Sequence, residues 1–216
     1  YAMLINTLFS SQGIHMEDID AIIISSVVPP LVVPMIKMCE RYFHIKPLVV
    51  GPGIRTGIRL HYENPRAIGA DRIVNVVGAY EAYGGPLIVI DMGTATTVTV
   101  LDEQGAFRGG AILPGANLAL SSLAGGTALL PDIPLAVPER AIGDDTLTCM
   151  QSGCVLGSAL LLDGLIDRME AELGRKATVV ATGGIAPVIA PACRHEMHMA
   201  ADLILRGLAV LYEQNN

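Results

Sequence analysis

Apolar residues in this chain fall in short, dense runs that end on glycine, proline, serine or aspartate. The densest is Leu87 to Ile90, the signature of a strand buried on both faces. Asp91 follows at its carboxyl end, then Gly93-Thr94-Ala95-Thr96-Thr97, and a second β-branched run continues from Thr96 to Val100. The pattern predicts strands over 86–91 and 95–102 joined by a tight turn. A third strand, 106–113, follows the hairpin signal Asp102-Glu103-Gln104-Gly105.

Upstream, residues 2–12 read as a helix stopped by Gly13. A short buried strand at 21–24 is followed by a helix from Pro29-Pro30 to about Phe43, then a strand at 47–50. This α-β-α-β order implies a parallel sheet covered by helices. Residues 51–66 read as a connection, and a helix runs from Gly69-Ala70-Asp71-Arg72 to about Tyr83. Gly84-Gly85 ends it and marks a boundary between two halves. Downstream the pattern predicts a gapped helical region at 115–130, an irregular stretch at 131–138, a helix over 146–173, a strand at 177–181 and a last helix over 201–213.

Composition sharpens this picture. Of the 216 residues, 51% are hydrophobic and only 16% charged. Pro, Gly, Asp or Ser interrupts every apolar run before the roughly 18 residues of a membrane span, so the excess points to a core plus a subunit interface. Small residues at Gly153, Gly157, Ser158 and Ala159 suit close helix packing, and a homodimer is expected. The net charge of −7 argues against a nucleic-acid surface. The four cysteines show no metal-binding spacing and read as reduced thiols of a cytoplasmic protein. The chain opens on Tyr1 without a signal peptide, and a natural beginning upstream is expected.

Five stretches carry candidate chemistry. A buried strand that delivers Asp91 into a Gly/Thr turn builds a polar pocket. Gly93 lets backbone N–H groups approach a phosphate, the threonine hydroxyls donate to it, and the carboxylate can hold a cation beside it. The plainer reading is a hairpin whose Asp and Thr only satisfy turn backbone. Gly69-Ala70-Asp71-Arg72 is either a solvated helix start or a proton acceptor beside an anion-binding guanidinium. The glycines of Gly109-Gly110-Ala111-Ile112-Leu113-Pro114-Gly115 suggest close backbone approach. Thr146, after Ile142-Gly143-Asp144-Asp145, reads first as a helix cap and second as a substrate-facing hydroxyl. Ala181-Thr182-Gly183-Gly184, between a strand and a helix, reads as an anion site for a nucleotide. The histidines offer no ligand pair, and His195 and His198 read as solvated.

Taken together and in this order, the five stretches resemble type III pantothenate kinases over essentially the whole chain. The resemblance implies an α/β protein of the acetate-kinase/sugar-kinase/actin fold, built from two ribonuclease-H-like half-domains, 1–84 and 85–216. It implies phosphorylation of pantothenate by ATP in coenzyme A synthesis. Asp71 then matches the proton acceptor, and Tyr62, Gly69, Ala70, Asp71, Arg72 and Thr146 the pantothenate contacts. Gly93, Thr94, Gly183 and Gly184 fall on the ATP side, and Asp91 on the residue holding potassium or ammonium, with Mg2+ carried in by ATP. In that family the acceptor pocket is completed by a second subunit. The family also opens with a strand and an Asp-x-Gly-Asn-Thr phosphate loop, absent here and expected upstream, pairing with the 20–25 and 47–50 region. The competing expectation is a nucleotide-binding regulatory protein, a transcription accessory factor, on the same scaffold. Asp71 and Arg72 favour the enzyme.

Overall fold

A computed structural model describes all 216 residues. By contact, the chain forms two compact units: residues 1–57, 64–78 and 204–216 make one, residues 58–63 and 79–203 the other.

In the first unit, helices α1 (Ala2–Ser11) and α2 (Pro29–Tyr42) flank two short strands, β1 (Ile23–Ile24) and β2 (Leu48–Val49). The strands are parallel, with Ile23 opposite Leu48, as the α-β-α-β order required. Ala2, Met38 and Cys39 form the buried centre, with Ile5, Ile22, Ile24 and Phe43 packed around them. α3 (Ala70–Tyr83) is buried continuously from Arg72 to Ala79, the mark of a helix covered on all sides. α8 (Leu203–Asn215) meets it at Gly207, where a Cβ would overlap the Val74 carbonyl. The Asn215 side chain then clamps the Arg55 backbone, accepting from its N–H and donating to its carbonyl, each at 2.8 Å.

The second unit is built on a six-stranded sheet. Its strands are β3 (Arg59–Leu60), β4 (Leu87–Met92), β5 (Ala95–Leu101), β6 (Ala106–Pro114), β7 (Thr178–Thr182) and β8 (His198–Met199). They lie in the order β3-β6-β5-β4-β7-β8. β4-β5-β6 form the expected antiparallel meander, and β7 joins β4 in parallel. β4 is therefore paired on both edges, and Leu87 to Ile90 are buried on both faces, as the unbroken apolar run predicted. β3 and β8, two residues each, lie at the sheet edges; β3 falls inside the stretch read as a connection.

One long helical stretch covers the sheet. α5 (Thr146–Gln151) passes into a π-helical turn (Ser152–Leu156) and then α6 (Gly157–Leu173). Val155, Ala159, Leu162 and Ile166 pack on Ile88, Ile90 and Met92 of β4 and on Val98, Val179 and Ala181 beside them. By length and composition this stretch is long and apolar enough to cross a membrane, with a mean hydropathy of 1.5 in its most apolar window. The sequence expectation that no run reaches that length is corrected, because the glycines and serines that interrupt it are compatible with a helix. Its inward face is nonetheless the core of the second unit.

Two glycines test this packing. Gly→Ala inside a helix ordinarily adds about 1 kcal/mol, and Gly164→Ala, with open space around it, should raise the melting temperature. Gly207→Ala should instead cost about 1–3 kcal/mol through the Val74 overlap. Melting both variants by circular dichroism checks the opposite signs; a stabilised Gly207→Ala would refute the α3–α8 contact.

Candidate active site

The carboxyl end of β4 carries a row of polar side chains. Asp91 stands directly opposite Thr97 of β5 and Thr182 of β7. Opposed residues share a sheet face, so a Thr–Asp–Thr row crosses three strands. Thr182 is buried, while Asp91 and Thr97 are half-buried.

Three backbone segments crowd this strand end. The Gly93 N–H donates to the Ala95 carbonyl at 3.1 Å, closing the turn, and the Gly115 N–H donates to the Thr94 carbonyl at 3.0 Å. On the other side the Ile185 N–H donates to the Met92 carbonyl at 3.1 Å. Gly183 holds a φ of +95°, and a Cβ there would stand 2.5 Å from the Met92 oxygen and 2.7 Å from Asp91 Oδ1. A Cβ on Gly115 would overlap the Gly93 and Thr94 carbonyls. Only glycine fits at either position, which the close-approach reading of 109–115 anticipated for Gly115. Gly93, Thr94, Gly183 and Gly184 are thus tied to one strand end, with Thr94 and Gly184 exposed. The helix after Gly184, α7 (Ala186–Ile189), is a single turn. The helix-dipole reason for an anion site there is corrected; what this loop supplies is backbone held close to Asp91.

Gly69 to Arg72 lie in the first unit, at the start of α3. The Asp71 carboxylate leans over Gly69, where a Cβ would overlap Oδ1, and Oδ1 accepts from the Arg72 N–H at 2.8 Å. Asp71 and Ala70 are half-buried. Arg72 is only 7% exposed, so any anion it meets must reach it at a largely enclosed position.

In the second unit, Tyr62 and Phe107 meet in a T-shaped contact, centroids 5.6 Å apart, and a Cβ on Gly109 would lie 3.6 Å from Tyr62 Cε2. Thr146 is exposed and lines a cavity of about 550 Å³ with Leu123, Leu130, Cys149 and Met150. It does not cap α5: Asp145 does, accepting from the Thr148 N–H and hydroxyl, each at 2.7 Å. Those bonds hold the Asp145 carboxyl below its ordinary range. The Thr146 hydroxyl is thereby relieved of the role the sequence reading ranked first.

The histidine reading also needs correction. His195 is half-buried, its Nδ1 2.8 Å from Asp163 Oδ1 and its Nε2 3.1 Å from Asp167 Oδ1. Asp163, 5% exposed, accepts from the backbone N–H groups of Arg194 and His195 as well. Burial pushes its carboxyl upward, but these donors outweigh burial and hold it below the usual range. Asp167, Glu170 and His195 bring one ligand atom each within 4.8 Å of the others, a set that could hold a cation. Arg194 and Lys176 already meet Asp167 and Glu170 there, both at 2.6 Å. Nearby, burial pushes the free Cys193 thiol up to about 11. The sequence did carry a signal for this cluster, since Asp163 and Glu170 continue the helical spacing of Ala159, Leu162 and Ile166 onto the buried face.

With this geometry in place, comparison with known proteins is decisive. The type III pantothenate kinase family profile matches residues 1–168. A type III pantothenate kinase of Exiguobacterium sp. is 45% identical over 215 residues, spanning 100% of this chain and 84% of the relative. One from Bacillus cytotoxicus is 45% identical over 215 residues, spanning 100% of this chain and 82% of the relative. A solved structure of a Baf family transcriptional activator from Campylobacter jejuni aligns with a TM-score of 0.65 at 19% identity. It covers 90% of this chain and 83% of that one, a likeness of fold. The chain belongs to the type III pantothenate kinase family.

Proposed function

We infer that the chain is an ATP-dependent pantothenate kinase, moving the γ-phosphoryl group of ATP to the primary hydroxyl of pantothenate in coenzyme A synthesis. Family membership brings the acetate-kinase/sugar-kinase/actin-like fold, with which the mixed α/β sheets agree. Our reading divides it into ribonuclease-H-like halves at 1–84 and 85–216. The observation that supports the reaction best is the Thr97–Asp91–Thr182 row beside a turn packed glycine against backbone.

Phosphoryl transfer asks a protein chiefly for placement and charge neutralisation. Gly93 and Thr94 offer backbone and hydroxyl donors to phosphate oxygens, and Gly183 and Gly184 hold the nucleotide side. Asp91 and its flanking threonines are hard oxygen donors, the right chemistry for a cation. Potassium or ammonium, if held by Asp91, would supply positive charge that offsets the phosphates, and Mg2+ would come with ATP. Asp71 orients the pantothenate hydroxyl and takes its proton as the oxygen–phosphorus bond forms, while Gly69 leaves room for its carboxylate. Tyr62, Ala70, Arg72 and Thr146 complete the acceptor contacts.

The protein acts as a cytoplasmic homodimer with no nucleic-acid or membrane partner. Supporting the dimer, α6 turns an apolar outer face to solvent at Leu160, 72% exposed, and Leu161, beside Gly157 and Ser158, while Ala159, expected on that face, packs into the core instead. Light scattering at micromolar concentration should give twice the chain mass. A monomer that retains full activity would remove the dimer from this account.

Two further outcomes follow from the site. Activity should depend on potassium or ammonium and collapse when either is replaced by a bulky organic cation; unchanged rates would remove Asp91 from its cation role. Asp71→Asn should keep its melting temperature and ATP affinity while turnover falls roughly 10²- to 10⁴-fold. Wild-type turnover in that folded variant would place the base elsewhere, with Asp91 the next candidate.

A further inference from the structure

Between α4 (Ala116–Gly126) and α5, residues 127–145 contain no helix or strand. A stretch of that kind in a compact unit is usually functional or disordered, and this one is fastened at several points. The Gln151 side chain, itself 7% exposed, donates to the Pro134 carbonyl at 3.1 Å. The Ser152 hydroxyl donates to the Ala141 carbonyl at 2.6 Å. Gly143 packs against the first turn of α5, where a Cβ would stand 2.7 Å from the Thr148 carbonyl carbon. The Asp144 and Asp145 N–H groups both donate to the Thr148 hydroxyl at 3.2 Å.

The two long-range fastenings come from consecutive residues, Gln151 and Ser152, at the junction where α geometry changes to π. A regular α-helix places consecutive side chains about 100° apart on its surface. Here one must reach Pro134 and the next Ala141, seven positions along the same loop. A π turn costs helix stability and is retained mostly where function needs the altered direction. Below the junction, Met150 and Cys154 join Leu120 and Ile133 in a small apolar core, so the helix itself is anchored. The loop therefore hangs from a fixed point, and its last residue before α5 delivers Thr146 to the cavity it lines.

We propose that Ser152 and Gln151 are positioning residues for pantothenate, setting the acceptor side of the site by holding the 131–145 loop and, through it, Thr146. This rests on Thr146 being a pantothenate contact. Neither side chain touches the reacting atoms; each acts through the loop, and its loss should move acceptor binding while leaving the nucleotide end of β4 untouched.

Steady-state kinetics and hydrogen–deuterium exchange on Ser152→Ala, Gln151→Met and Thr146→Val test it. Ser152→Ala should raise the pantothenate KM about 3- to 10-fold, what one lost hydrogen bond is worth, with the ATP KM unchanged. Amide exchange should quicken across 139–146 and nowhere in β4. Ser152→Thr, which keeps the hydroxyl, should restore both. If Ser152→Ala lowers the melting temperature by more than about 5 °C, Gln151→Met carries the same comparison, with exchange read around 132–136. Thr146→Val should raise the pantothenate KM without loosening the loop. Unchanged loop exchange in the positioning variants overturns the proposal. So does a loosened loop with an unaltered pantothenate KM while Thr146→Val still raises it. An unaltered KM in Thr146→Val instead overturns the assignment of Thr146 as a contact, and the proposal with it.

Discussion

Backbone pressed against backbone at the end of β4 is the constraint on which the second unit depends. The Met92 carbonyl accepts from Ile185, and the Gly93–Thr94 turn lies under Gly115. Gly183 comes within side-chain distance of Asp91. The contacts at Gly115 and Gly183 require a residue without a Cβ. In exchange, the loops after β4, β6 and β7 converge where one buried strand ends in a carboxylate. Backbone polar groups brought this close can serve a phosphate without the entropy cost of ordering long side chains.

The helix that covers the sheet does two jobs with its two ends. Toward its carboxyl end, Asp163 gathers two backbone N–H groups and the His195 ring, fixing the segment that leads to β8. Toward its amino end, Asp145 and Thr148 close the loop onto the first turn. The sheet's apolar centre lies between, held by Val155, Ala159, Leu162 and Ile166. A helix buried along this face can be apolar enough to pass for a membrane span and still owe its composition to packing.

Much of this was legible because period and punctuation agreed. Leu87 to Ile90, the Thr96–Val100 run and the Asp102–Gly105 turn together specify the meander. The glycines of 109–115 could be read as close approaches, though not what they approached, whereas Gly183 read as part of an anion site and its close packing on Met92 had no signal. Other features had no local signal. β3 and β8 are strands only through their neighbours' register. The π turn was invisible because the apolar spacing of 146–173 reads as one unbroken helix. Asp145 and Thr146 are adjacent residues that can both cap, and only the structure separates them. His195 read as solvated because its partners lie about thirty positions away on α6.

Phosphoryl transfer to pantothenate is the claim on which the rest turns, and isotope transfer tests it most directly. The full chain is incubated with pantothenate, potassium, Mg2+ and ATP carrying heavy oxygen on its γ-phosphoryl group. Mass spectrometry then follows both products. The account predicts phosphorylated pantothenate bearing the labelled phosphoryl oxygens, one for each ADP formed. ADP released without labelled phosphopantothenate, or nucleotide bound without any transfer, would contradict it.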